Sequence, residues 1–283
     1  MIDWLTEPFA LGFMQRALAA SLIVGVVCSV LGCFVVLSSM AFLGDALAHA
    51  ILPGVAIAYL LGTNLVAGAL VAALIVAFGI GFFSRGGVVR EDTAIGILFA
   101  AALSLGVLLI STVRTYATDL THILFGNVLG VTGADLWLTG ALAAVVLIVL
   151  LGLYKEFVLA AFDPVLAHTL GRRPELMRAL MLVLLALTIV VSLQTVGVGL
   201  VAAMLVTPAA TASLLTRRLP AMMAVAALVG VLSSVTGLYV SYYLDVASGA
   251  AIVLAATVLF VAAFVFAPGR GLVWRGRVRR ASA

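Results

Sequence analysis

Apolar residues fall in long unbroken runs along this chain, not in the alternation of a half-buried strand or the narrow stripe of a soluble helix. A helix needs about 20 apolar residues to cross a bilayer. Runs of that length lie at approximately 17–37, 44–61, 65–84, 93–113, 136–154, 177–195, 199–216, 219–244 and 247–268. The second and third are divided near 62–64, and the sixth and seventh near 194–199. The pattern predicts an all-α integral membrane protein with nine spans, or eight if one short segment is re-entrant, forming one transmembrane domain over 1–283.

Composition supports that class. Hydrophobic residues make up 65% of the chain and charged ones 9%, where a soluble domain carries about 25% charged residues. Alternating β-barrel patterning is absent. The chain starts MIDWLTEPF, which is acidic and lacks the basic region of a cleaved signal peptide, so the first span is expected to act as its own signal.

The basic residues orient the spans. Arg85, Arg90, Lys155, Arg172, Arg173, Arg178, Arg217, Arg218 and the tail at 270–283 fall on one side of a nine-span model, and Arg16 and Arg114 on the other. The richer side is expected in the cytoplasm, which puts the C-terminus inside and the N-terminus outside. The net charge of +4 is then a topology signal that a lipid surface satisfies, with no nucleic acid implied. Cys28 and Cys33 are five apart in the first span with no further cysteine for a thiolate site, and read as small packing residues.

Against this background LGDALAHAILPG, residues 43–54, stands out. Asp45 and His49 are i, i+4 and share a helix face. An ionisable group at membrane depth costs about 2.5–3.5 kcal/mol on the insertion scale, so it usually faces a bundle interior or a watery path. Pro53 lacks an N–H and deprives the His49 carbonyl of its helical partner. Carboxylate, imidazole and the freed carbonyl together suit a divalent cation of borderline-to-hard character. An Asp–His contact that only fixes helix packing fits the same residues.

The motifs MAFLGDALAHAILPGVAIAYLLG, EDTAIGILF, THILFGNVLGV, YKEFVLAAFDP, SLQTVGVGLVAAMLVTPAATA and YYLDVASGAAIVL occur in this order. Together they resemble the membrane permease subunits of bacterial ATP-binding-cassette importers for manganese, zinc and iron, from about Phe9 to Phe266. The resemblance implies a multi-pass protein of the bacterial cytoplasmic membrane. It also implies a second permease copy (a homodimer), cytoplasmic ATPase subunits, an extracytoplasmic metal-binding protein, and no bound cofactor. Mn2+, Zn2+ or Fe2+ would be the transported ion, manganese slightly favoured. Asp45 and His49 match the positions taken to line the family's metal path.

Other features follow. The only lysine, Lys155, is preceded by Gly152, Leu153 and Tyr154, so no phosphate-binding loop of the GxxxxGK type exists and ATP hydrolysis is expected in a partner. Asp163 and Pro164 make a good helix start and Gly171 a stop. The short helix at approximately 163–171, with Ala167 at its centre, resembles the family's coupling helix. His168 within it is read as a contact or solvated residue. Asp119 and His122, i and i+3 in an outer segment, are candidates to meet incoming metal or to form a structural pair. Pro208 predicts a kink, Asp245 a cap for the final helix, and Glu91 and Asp92 favourable charges at the start of the fourth span. Two rival functions are an ion-coupled secondary transporter and a membrane metalloenzyme. The latter usually needs three protein ligands, and no HExxH motif occurs.

Overall fold

The computed structural model describes residues 10–84, 89–112, 128–267 and 271–272. They form helices α1 (Gly12–Leu37), α2 (Ala41–Ala50), α3 (Leu52–Leu60), α4 (Leu65–Phe83), α5 (Glu91–Ser111), α6 (Gly133–Gly152), α7 (Tyr154–Phe162), α8 (Pro164–Thr169), α9 (Pro174–Val196), α10 (Val198–Leu215), α11 (Leu219–Leu244) and α12 (Ser248–Phe266), with a 3-10 turn at Val128–Gly130. Among the described residues there is no strand. Among the described residues eight segments are long and apolar enough to cross a membrane, with α2 and α3 counting together as Ala41–Leu60, and the apolar stretch Gly199–Leu215 is a shorter ninth. The chain is an all-α integral membrane protein.

Two packed groups make up the bundle. α1 lies against α10 and α11, and α12 closes on those two. α4 and α5 hold α2 and α3, with α9 packed on α4. The groups meet where α10 contacts α2 and where α9 packs on α1 and α10. Outward faces of α4, α5, α6 and α12 expose Phe82, Ile97, Ile148 and Val258, side chains that hydrocarbon tolerates as well as a protein core does.

Small residues set the helix spacing. A Cβ on Gly32 of α1 would lie 1.7 Å from the Leu205 carbonyl oxygen of α10, so only glycine permits that crossing. The Leu205 side chain also lies against Gly44 of α2, where an added Cβ would be 2.9 Å from its Cδ1. Leu205 therefore occupies a slot between two helices. Cys28 and Cys33 are buried and unbridged, and the Cys33 thiol donates to the Ser29 carbonyl at 3.3 Å.

Four local features differ from, or add to, the sequence expectations. α1 starts at Gly12 and so takes Arg16 into its first turns. α10 runs through Pro208 as one continuous helix. Asp245 ends α11 in the left-handed conformation (φ 51°, ψ 46°), while the N-cap of α12 is Ala247 with no side-chain cap. Asp245 thus terminates the preceding helix and does not start the final one. Aspartate is one of the few residues that enters that backbone region readily. Between α9 and α10 stands Gly197 alone, at φ 87° and ψ 160°, a combination essentially confined to glycine.

Candidate functional site

The second span is broken, and the break positions the candidate pair. α2 ends at Ala50 and α3 begins at Leu52 with Pro53 in its first turn. At the junction the His49 carbonyl takes the Ile51 N–H, so the proline does not leave it bare. On α2 the residues Gly44, Ala46, Leu47, Ala48 and Ala50 are buried. Its open stripe runs through Phe42, Asp45 and His49, the i, i+3, i+7 positions of one helix face.

His49 Nε2 lies 3.5 Å from Asp45 Oδ1, with the imidazole side chain 30% and the carboxylate 50% exposed. That separation is longer than the usual 2.7–3.2 Å of an N–H···O hydrogen bond. The two groups are adjacent without saturating each other, and both side chains are partly exposed. Phe99 of α5 sets the back of the imidazole, ring centroids 6.0 Å apart at 61°. Among the described residues no three His, Cys, Asp or Glu side chains cluster as a metal site. Asp119 and His122 lie outside the described residues.

A second constellation gathers at the arginine-rich end. Asp163 Oδ1 accepts the Leu166 N–H at 2.8 Å, Pro164 fills the first position of α8, and the Ala167 N–H donates to the Asp163 carbonyl at 3.0 Å. Ala167 is buried beneath the helix. Gly171 follows at φ 70°, its N–H returned to the His168 carbonyl at 3.0 Å. The outer face of this six-residue helix carries Val165, 73% exposed, and Leu170 just beyond it, 61% exposed.

Ion pairs tie this end together in ways the sequence did not suggest. His168 Nε2 is 2.9 Å from Glu175 Oε1 at the start of α9, and Arg172 reaches Glu156 of α7 at 2.9 Å. Arg178 of α9 donates through Nε to Glu91 Oε1 at 2.8 Å and also contacts Oε2 through its second nitrogen. Glu91 therefore does more than favour its own helix start. It holds α5 to α9 by a two-pronged bridge of the kind only arginine makes. The partners are 87 residues apart, and no local pattern in a single sequence links them.

Comparison with known proteins places these features in a family. Residues 10–267 match the ABC 3 transport family. The chain belongs to that family. It is 48% identical over 268 residues to the manganese transport system membrane protein MntC of Halalkalibacterium halodurans, covering 94% of this chain and 92% of that protein. To a protein of Haemophilus influenzae named as an iron transport system membrane protein it is 40% identical, over 94% of this chain and 98% of the other. Its fold is similar to PsaBC from Streptococcus pneumoniae in complex with Fab, with a TM-score of 0.85 and 37% identity over all of both chains. As a member of the ABC 3 transport family the chain is a membrane transport subunit.

Proposed function

We propose that the chain is the permease subunit of an ATP-driven importer of a divalent transition metal, manganese first and iron or zinc next. The observation that carries this reading is the open stripe of α2. A carboxylate half exposed on a membrane helix is costly against hydrocarbon, and Phe42 beside it is 80% exposed. A second copy of the chain and a central hydrated path would satisfy both. Relatives named for manganese and iron transport point the same way.

The donor chemistry fits a passing ion. Bonds of about 2.0–2.2 Å to oxygen and imidazole nitrogen at a tetrahedral angle separate the donors by about 3.4 Å, and Asp45 Oδ1 and His49 Nε2 are 3.5 Å apart. Two donors from each protomer hold an ion without burying it in a closed cage, so it can leave. Asp119 and His122 remain candidates to receive the ion first.

Energy would come from cytoplasmic ATPase subunits, since the chain has no phosphate-binding loop. Their docking surface is α8, where exposed Val165 and Leu170 suit a groove on a partner more than water. An extracytoplasmic binding protein would deliver the metal at the opposite end. The distribution of basic residues supports a cytoplasmic C-terminus, on the same side as the arginine-rich loops.

The test is reconstitution of the chain with its ATPase and binding-protein partners in liposomes, followed by counting radioactive manganese inside. ATP-dependent uptake that needs the binding protein is the expected result. Uptake driven by a proton or sodium gradient without ATP would replace this reading with a secondary transporter.

A further inference from the structure

The geometry points to the Glu91–Arg178 bridge as a positioning device that transmits the state of the docking helix α8 to the metal pair, an inference that rests on the permease reading above. Three contacts, joined along α9 and α5, form a series. His168 on α8 meets Glu175 at 2.9 Å. Glu175 and Arg178 stand three apart on α9 and so on one face. Arg178 grips Glu91 with both prongs. Glu91 begins α5, and Phe99, about 12 Å along that helix at 1.5 Å per residue, has its ring against the His49 imidazole.

A cavity of about 340 Å³ lies among these groups. Glu91, His168, Glu175 and Arg178 all line it, together with Ser38 and Met40, the residues that lead into α2. The cleft is open to solvent, with the His168 and Glu175 side chains 59% and 56% exposed, so the junction of α8, α9, α5 and the start of α2 is where these elements have room to move. The rigid bridge sets how that movement is shared. A guanidinium joined to a carboxylate at two points resists rotation as well as separation, so a shift of α9 carries the base of α5 with it and displaces Phe99 against His49. The Arg172–Glu156 pair is similar in kind, but neither of its members lines the cavity. It is the natural control.

The experiment measures manganese ions imported per ATP hydrolysed by the full transporter in liposomes. Glu91→Gln and Arg178→Gln should each lower this ratio about 5-fold or more, the small end of coupling between sites, while ATPase subunits stay bound and ATP is still consumed. Phe99→Ala should do the same. The reversed pair, Glu91→Arg with Arg178→Glu, should restore the ratio to within about twofold of wild type, and Glu156→Gln should leave it unchanged. Wild-type ratios in the single variants overturn the relay, as does a reversed pair that assembles without recovery. Loss of assembly in single and reversed variants alike makes the bridge a folding element and also overturns it. Asp45→Ala is run in parallel. Normal import there removes the metal pair from the permease reading, whereas a dead Asp45→Ala beside unaffected bridge variants removes the relay alone.

Discussion

Gly54 of α3 and Gly68 of α4 face each other at backbone contact. A Cβ on Gly54 would lie 2.1 Å from the Gly68 carbonyl oxygen, and one on Gly68 would lie 2.4 Å from the Gly54 carbonyl oxygen. This crossing sits just past the break that presents His49, and it fixes where α3 leaves α2.

Gly68→Ala should therefore loosen the protein at that crossing. Overpacking a tight contact costs about 1–3 kcal/mol, so the purified variant should melt several degrees lower in detergent. Gly96→Ala is the comparison, since nothing lies within 4 Å of a Cβ there and alanine favours the helix by about 1 kcal/mol. Equal melting temperatures for the two would show that the α3–α4 crossing has slack.

Asp45→Ala and His49→Ala should each reduce manganese accumulation to background. Both side chains lie on the open stripe and outside the buried face of α2, so yield and ATPase binding should stay near wild type. Normal accumulation in both variants at matched expression would take the pair out of the transport path.

Ala167→Pro removes the N–H that bonds the Asp163 carbonyl at 3.0 Å and costs about 3 kcal/mol in a helix interior. Because α8 is short and lies between the long helices α6 and α9 in the chain, the bundle should still insert. The expected outcome is loss of the ATPase subunits on purification, or ATP turnover no longer stimulated by the loaded binding protein. Full co-purification with normal transport would move the docking surface to the loop around Arg217 and Arg218.

Sidedness is open to direct labelling. With Cys28→Ala and Cys33→Ser as background, Leu61→Cys should react with an impermeant thiol reagent added outside intact cells, because Leu61 is 70% exposed at the end of α3. Arg218→Cys, at the start of α11, should react only after the membrane is opened. The opposite pattern reverses every inside and outside assignment.

The membrane class and the all-helical fold were readable because burial in lipid demands long apolar runs, and such runs are local. Asp45 and His49 were conspicuous for the same reason, since charge is rare there. What escaped was non-local. Nothing around Glu91 announces Arg178, and nothing around Gly54 announces Gly68, because each partner is set by how distant helices cross. Asp245 misled because aspartate serves both as an N-cap and as a left-handed stop, and only the backbone angles distinguish them.

The lone Gly197 between α9 and α10 has a consequence for how this chain can change in length. A helix turns about 100° per residue, so one residue added at that joint would swing the whole face of α10. Leu205 would then leave its slot between Gly32 and Gly44, and the helix that carries Asp45 would lose its backing. Insertions that surface loops accept easily would here be read out at the opposite side of the bundle, which makes this joint a fixed gauge for the register of the pathway.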